Sequence, residues 1–307
     1  MNEPMITWTG RSPVGKARFQ PLDGETLAVA LKRVLIDEIL AARRILEDPA
    51  VSRDRAIHQA RRHMKWIRSF WYFLAEVPGA NRENRRAQVR DTARLLAGAR
   101  DADVMAAEAH RLHTRADGRA REAAARLAER LDAEARTAHA EIPPIEAVLS
   151  RLRAAEADAR SLPTRFDAGR LIADALVASY RRGRRDWRAI DEGASVEALH
   201  DWRKRVKRRR HLSALVPVAT AVTTRAIQAD LEDLGEILGE EHDLALLLAL
   251  LDHTPSLLAP SEGRAAFLDL VADRRRKLKK VAIGLGEELY GDKTKVFAAE
   301  LEPLYDL

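Results

Sequence analysis

Two stretches of this 307-residue chain carry one basic pattern at one spacing. His58, Arg61, Lys65 and Arg68 form H-x-x-R-x-x-x-K-x-x-R, and His200, Arg203, Lys207 and Arg210 form it again, each 142 positions after its partner. At about 100° per helical residue, each set projects within roughly 80° and makes a single cationic stripe. Arginine offers a planar fork matched to phosphate oxygens and lysine a mobile point charge, so two facing stripes would neutralise several phosphates together. The histidines add donors whose charge responds near the ~6.5 reference value. Arg62, Lys204 and Arg208 lie beside the stripes and join the candidate set. Between His200 and His211 seven Lys and Arg face one acid, Asp201. Like charges three and four residues apart cost a helix about 0.2–0.5 kcal/mol per pair, so something anionic should relieve them. The plainer reading is a solvated helix face paired with Asp and Glu of its neighbours; the repeated spacing favours the anion site.

The stripes need helices that bury one flank. Ile57, Ala60, Met64, Ile67, Trp71 and Leu74 fill the sector beside the first stripe, and Leu199, Trp202, Val206 and Val216 serve the second. A further motif shares the displacement: Arg100 and Asp101 align with His242 and Asp243, and Leu96 with Leu238. Asp101 and Asp243 are read as orienting basic side chains or capping a helix. Two motifs with one displacement predict an internal duplication: an arm at 1–22 rich in Pro and Gly (Pro4, Gly10, Pro13, Gly15, Pro21), a first helical repeat at 23–144, a connecting segment at 145–166 and a second repeat at 167–307. Asp23 is the expected cap of a helix over 24–46, Ser52 opens one to about Glu76 stopped by Pro78 and Gly79, and a third covers 82–97 and ends at Gly98. Asp101 or Asp103 starts an Ala-rich stretch to 140, broken at Asp117 and Gly118 and closed by Pro143 and Pro144. Helices then follow near 145–160, 167–190, 195–216, 224–239, 243–258 and 261–288.

Composition agrees with an all-α fold: 46% hydrophobic, 33% charged and only 5% aromatic residues describe long amphipathic helices rather than sheets. With 53 Lys and Arg against 47 Asp and Glu, the net charge is only +6, so the basicity is local and predicts a groove rather than a cationic coat. No cysteine is present, which excludes disulfides, thiol nucleophiles and Cys-ligated metals. The longest apolar run, Leu244 to Leu251, is eight residues, far below the ~20 that cross a bilayer, and 1–20 shows no apolar signal core. A cytoplasmic protein without a membrane partner is expected.

The segments 58–68 and 95–104 resemble the first half of the CHAD domain, the histidine-named α-helical domain, and 200–210 and 238–243 resemble its second half; 21–27 is similar to the family's entry into its first helix. The likeness covers about 20–305. It implies two pseudo-symmetric helical bundles with a basic groove between them, binding of inorganic polyphosphate, and association with polyphosphate granules. It assigns that binding to His58, Arg61, Lys65, Arg68, His200, Arg203, Lys207 and Arg210. Some members are fused to a CYTH triphosphatase domain, whose alternating Glu and Lys strands are not visible here, so the implied role is binding or targeting, with no catalytic residue, metal or cofactor. Two positions depart from the pattern: Ala97 stands where the second half has Gly239, and His242 replaces the Arg of the first-half pair.

Three rivals remain. His242 and Asp243 match the dyad of HD-type metal-dependent phosphohydrolases, but the aligned Arg100 cannot ligate a metal, and His110 and His113 lack a third ligand. No Walker loop, nucleophile elbow or dinucleotide turn is present. Nucleic acid is expected as a weaker competitor, because any phosphate-neutralising groove attracts it, with Trp66 toward the basic side as a candidate stacking residue. A helical scaffold needs no site, and the Ala-rich arm at 103–140 would serve one.

Overall fold

In this computed structural model, which describes residues 21–74, 77, 81–96, 98–140, 145–191, 193–216 and 223–305, all regular structure among the described residues is helical. The fold class is all-α, as the composition predicts. The helices are α1 (Leu27–Glu47), α2 (Arg53–Phe73), α3 (Arg82–Arg94), α4 (Gly98–Arg115), α5 (Gly118–Ala140), α6 (Ile145–Arg160), α7 (Ala168–Arg188), α8 (Val196–Ser213), α9 (Arg225–His253), α10 (Arg264–Tyr290) and α11 (Thr294–Ala299). Of the expected features, residues 1–20 of the arm, the stops at Glu76, Pro78 and Gly79, Ala97, and the Pro143–Pro144 pair lie outside the described residues, as does the side chain of Arg100.

Local chemistry sets the boundaries, and it corrects several expected ones. Thr26, not Asp23, caps α1, its side chain accepting from the Val29 amide, while Gly24 turns at φ +79 just before it. The third helix ends at Arg94, and Gly98 opens α4 instead of closing the helix before it. The break at Asp117 and Gly118 is present, with Gly118 at φ +52. In the second half Ser195 and Thr224 cap α8 and α9 through the amides of Ala198 and Ile227. The two helices expected over 224–258 are one continuous α9, because Gly239 serves packing there and does not end the helix.

The apolar interior forms two clusters, and each draws on both halves of the sequence. The larger joins α1, α2 and α6 to α7, α8, the start of α9 and the end of α10, with Trp71, Trp202, Phe70 and Tyr180 at its centre. The smaller joins α4 and α5 to the end of α9 and the start of α10, where Ala109, Ala123, Ala124 and Ala128 let the backbones approach and Leu247, Leu251 and Phe267 fill the space. The segment 145–166 is packed against the first helices: Arg43 pairs with Glu156, Arg85 with Asp158, and Lys32 donates to the Leu162 carbonyl. This arrangement seats α2 and α8 beside each other in the larger cluster.

Candidate functional site

The two stripes meet where α2 and α8 pass each other. Ser69 and His211, 142 positions apart, are hydrogen-bonded at 2.7 Å. Ser69 also donates its hydroxyl proton to the Lys65 carbonyl, so the His211 Nδ1–H is the donor to Ser69. Ser69 and His211 thus occupy the same position after the two stripes, four residues beyond Lys65 and Lys207. A second pair of bonds obeys the same displacement: Arg61 donates to the Ala93 carbonyl at 2.7 Å, and Arg203 to the Gly235 carbonyl at 3.4 Å. The first arginine of each stripe is thus tied to a following helix, α3 in one half and α9 in the other.

Cations face cations across this seam. Burial and then the charges of Arg203 and Lys65 push the Lys207 ammonium down to about 7, with Asp243 opposing at longer range. Burial and the charges of Arg90, Arg208 and Arg94 lower Arg68. Arg208 falls to about 10, chiefly through burial and then through Arg86 and Arg205, against the pull of Tyr72. His211 is pushed to about 3 by burial and by Arg210, Lys207, Lys65 and Arg68, which keeps it neutral at physiological pH. Among the described residues no carboxylate lies within ion-pair distance of Arg68, Arg203, Lys207 or Arg208.

At one end of the seam the rings of His200 and His242 stack with centroids 4.1 Å apart. Both Nδ1 atoms are buried without a hydrogen-bond partner. Burial, the neighbouring His242 ring, Lys204 and Arg203 take His200 down to about 4; burial, Arg203, Lys204 and Lys207 lower His242 as well. The His242–Asp243 dyad is therefore set among cations, an environment that opposes a divalent ion, while Asp243 acts on Arg203 and Lys207. Among the described residues no three metal-ligating side chains cluster. His110 and His113 part company, His110 going to Asp132 and His113 to the Arg121 carbonyl.

The other candidates divide by position. Lys204 is exposed and bonded to Asp201 at 2.7 Å, and Arg210 pairs with Glu232. His58, Arg62 and Lys65 are exposed, and Arg61, Arg68, Arg203, Lys207, Arg208 and Arg210 are half-buried. Trp66, expected toward the basic side as a candidate stacking residue, is buried with its ring 4.2 Å from that of His211. Arg209, counted in the dense basic run, turns the opposite way into the core.

Several residues escape the motif. Arg86, Arg90 and Arg94 on α3, Arg182 on α7, and Tyr72 and His211 at the seam all take part, through the contacts above and through Tyr72, whose ring lies under Arg208. The four-residue spacing of the α3 arginines was a readable signal, since it puts them on one face. Arg182 carried none, because only the tertiary fold brings α7 to α2.

The Lys207 ammonium sets a pH dependence. Its folded-state value near 7 lies below the unfolded value of 10.5, so between these the unfolded chain binds more protons and stability rises with pH. Relative to Lys207→Met, the ligand-free wild type should gain at most about 2 kcal/mol between pH 7 and pH 9. Denaturant unfolding of both proteins across that window measures it; parallel curves would mean that the ammonium is not desolvated.

Comparison with known proteins follows the same lines. The family model described as CHAD domain matches residues 40–252. Among solved structures, PptA from Streptomyces chartreusis superposes with a TM-score of 0.62 at 20% identity, covering 87% of this chain and 98% of its own. The CHAD domain from the plant Ricinus communis superposes with a TM-score of 0.53 at 20% identity, covering 94% and 97%. At that identity the likeness is one of fold. No curated protein matches the chain.

Proposed function

The chain belongs to the CHAD domain family, one linked to polyphosphate-related proteins, and from that premise we propose that the α2–α8 seam is a basic groove that binds inorganic polyphosphate without chemical change. One observation carries the reading: the α2 cations Lys65 and Arg68 and the α8 cations Lys207 and Arg208 repel one another where Ser69 and His211 join the two helices, and Arg68, Lys207 and Arg208 have no carboxylate partner among the described residues. Such convergence is unfavourable until an anion lies between the rows. Arg203, Lys207, Arg68 and Arg208 form the inner contacts. Lys65, Arg61, His58 and Arg62 line the α2 side, and His200, Lys204 and Arg210 the α8 side. Two copies of one motif related by a common displacement fit an internal duplication, with each repeat supplying one wall. Chain length raises affinity because each added phosphate meets a preformed cation. Binding of this kind suits a cytoplasmic protein held at polyphosphate granules.

Three features disfavour the rivals. Packed helices stand ~8–10 Å apart, so a seam between them admits one thin anionic strand and not a duplex. The tryptophan that would stack on a base is covered by His211. Ser69 and His211, a hydroxyl–imidazole pair at the seam, make a poor nucleophile and base, since an imidazole at about 3 is too weak a base to take the hydroxyl proton. Titration of the protein with long polyphosphate, orthophosphate and duplex DNA at one salt concentration tests the reading. Long polyphosphate is expected to bind far tighter than the other two; equal or tighter DNA binding defeats it.

Gly239 offers a finer check. A Cβ there would come 2.8 Å from Arg203 Nη2, so Gly239→Ala must push the guanidinium aside. Within a helix the same change adds about 0.5–1 kcal/mol of stability. Polyphosphate affinity is expected to drop about three- to tenfold while the melting temperature rises, an opposition that calorimetry and titration together would reveal.

A further inference from the structure

The seam is not the same at its two ends. At the end opposite the stacked histidines, three guanidinium groups gather on Tyr72. Arg208 lies over its ring at 4.2 Å from the centroid, Arg86 at 5.3 Å, and Arg182 donates to its hydroxyl. They come from α8, α3 and α7, so the cluster is made by the fold and not by one helix. Arg68 lies close enough for its charge and that of Arg208 to repel. Among the described residues no carboxylate pairs with Arg182, Arg208 or Arg68. The neighbouring acid, Asp186, is held by Arg205 at 3.0 Å and Arg185 at 2.8 Å.

The second half has no equivalent. At the repeat displacement, Tyr72 corresponds to Ala214, Arg182 to Leu40, Arg86 to Gln228 and Arg208 to Trp66. Every counterpart is uncharged, so one end of the seam holds several more positive charges than a symmetric groove would. A linear polyphosphate has a matching asymmetry, because its terminal phosphoryl group ionises twice, as a phosphomonoester does near pH 6, and internal groups ionise once. Stacked and hydroxyl-anchored guanidinium groups are also pre-oriented for bidentate contact with phosphoryl oxygens.

We propose that Arg182, Arg208 and Tyr72, with Arg68 at the inner edge, form a subsite for the terminal phosphoryl group of the chain. The remainder then runs along the Lys65–Lys207 seam toward His200 and His242, which gives the bound polymer a direction. This rests on the polyphosphate reading above and adds to it where the chain ends.

Linear tripolyphosphate has chain ends and cyclic trimetaphosphate has none, which makes them the probes. Titration calorimetry on the full chain at fixed salt should show the linear ligand bound tighter. Arg182→Met should lower its affinity about tenfold, the worth of one charged hydrogen bond, and leave cyclic trimetaphosphate within about twofold. Tyr72→Phe keeps the ring under Arg208 and removes only the hydroxyl that holds Arg182, so it should act in the same direction with its fold intact. Losses that are equal for both ligands, or absent in both variants, overturn the subsite. Long polyphosphate binding to wild type and variants is read alongside: if the wild type fails to bind it, the groove reading has failed, and if it binds while the linear preference is missing, the subsite alone has failed.

Discussion

Lys207→Glu is expected to lower polyphosphate affinity by about two orders of magnitude and to leave the protein at least as stable as before. The ammonium lies between Arg203, Lys65 and Arg210 in a partly desolvated position. A carboxylate there removes one charged contact with the ligand and repels the next phosphate, and each ~1.4 kcal/mol so lost is a factor of ten. In the ligand-free protein the same carboxylate meets three cations, with only Asp243 opposing, so repulsion among the cations falls. Lys204→Glu is the control. Lys204 is exposed and already bonded to Asp201, and its reversal should cost about threefold or less. Affinities measured by titration, with melting temperatures of the same samples, separate the two. Equal losses from both substitutions would point to a diffuse field and not a seam.

Arg209→Ala should cost about 4 kcal/mol of folding stability, whereas Arg208→Ala, one residue away, should cost little or none. Arg209 is 2% exposed and donates to the Leu289 carbonyl. Its guanidinium lies about 5 Å from three ring centroids: Tyr180 at 5.0 Å, Tyr290 at 4.8 Å and Phe297 at 5.1 Å. Truncation opens a cavity among α7, α8, α10 and α11 and removes a desolvated cation–π cage worth about 2 kcal/mol, within the 2–5 kcal/mol range of large-to-small core changes. Arg208 is held at a cost, against Arg86 and Arg205, so its removal relieves repulsion. Denaturant unfolding decides this. Equal stability of the two variants would contradict the assignment of Arg209 to the core and Arg208 to the site.

Much of this was legible in the residues. The stripes and their apolar flanks follow from a period of 3.6, and that period places His58, Arg61, Lys65 and Arg68 on one face without reference to any neighbour. Arg209 was legible too: two positions after Lys207 it lies about 200° around the helix, on the Trp202 and Val206 side. Gly239 misled, because a glycine late in an apolar run reads as a stop, while its role is to make room for Arg203 from another helix. Trp66 sits at the edge of the basic sector, and only the approach of α8 decides that His211 covers it. The same limit hides Arg182 and the two mixed clusters, since periodicity names the face that will be buried but not the helix that buries it. Ser69 and His211 share the motif's displacement, yet nothing in their types announced that they would meet.

The ionisation of Lys207 tests the central claim most directly. Its ε-ammonium, followed by NMR through pH titration of the labelled protein, should titrate near 7 in the ligand-free state. With saturating long polyphosphate it should move upward by two units or more, because an anion between the rows favours the charged form. Binding that leaves the Lys207 titration unchanged would place the anion elsewhere and contradict the account.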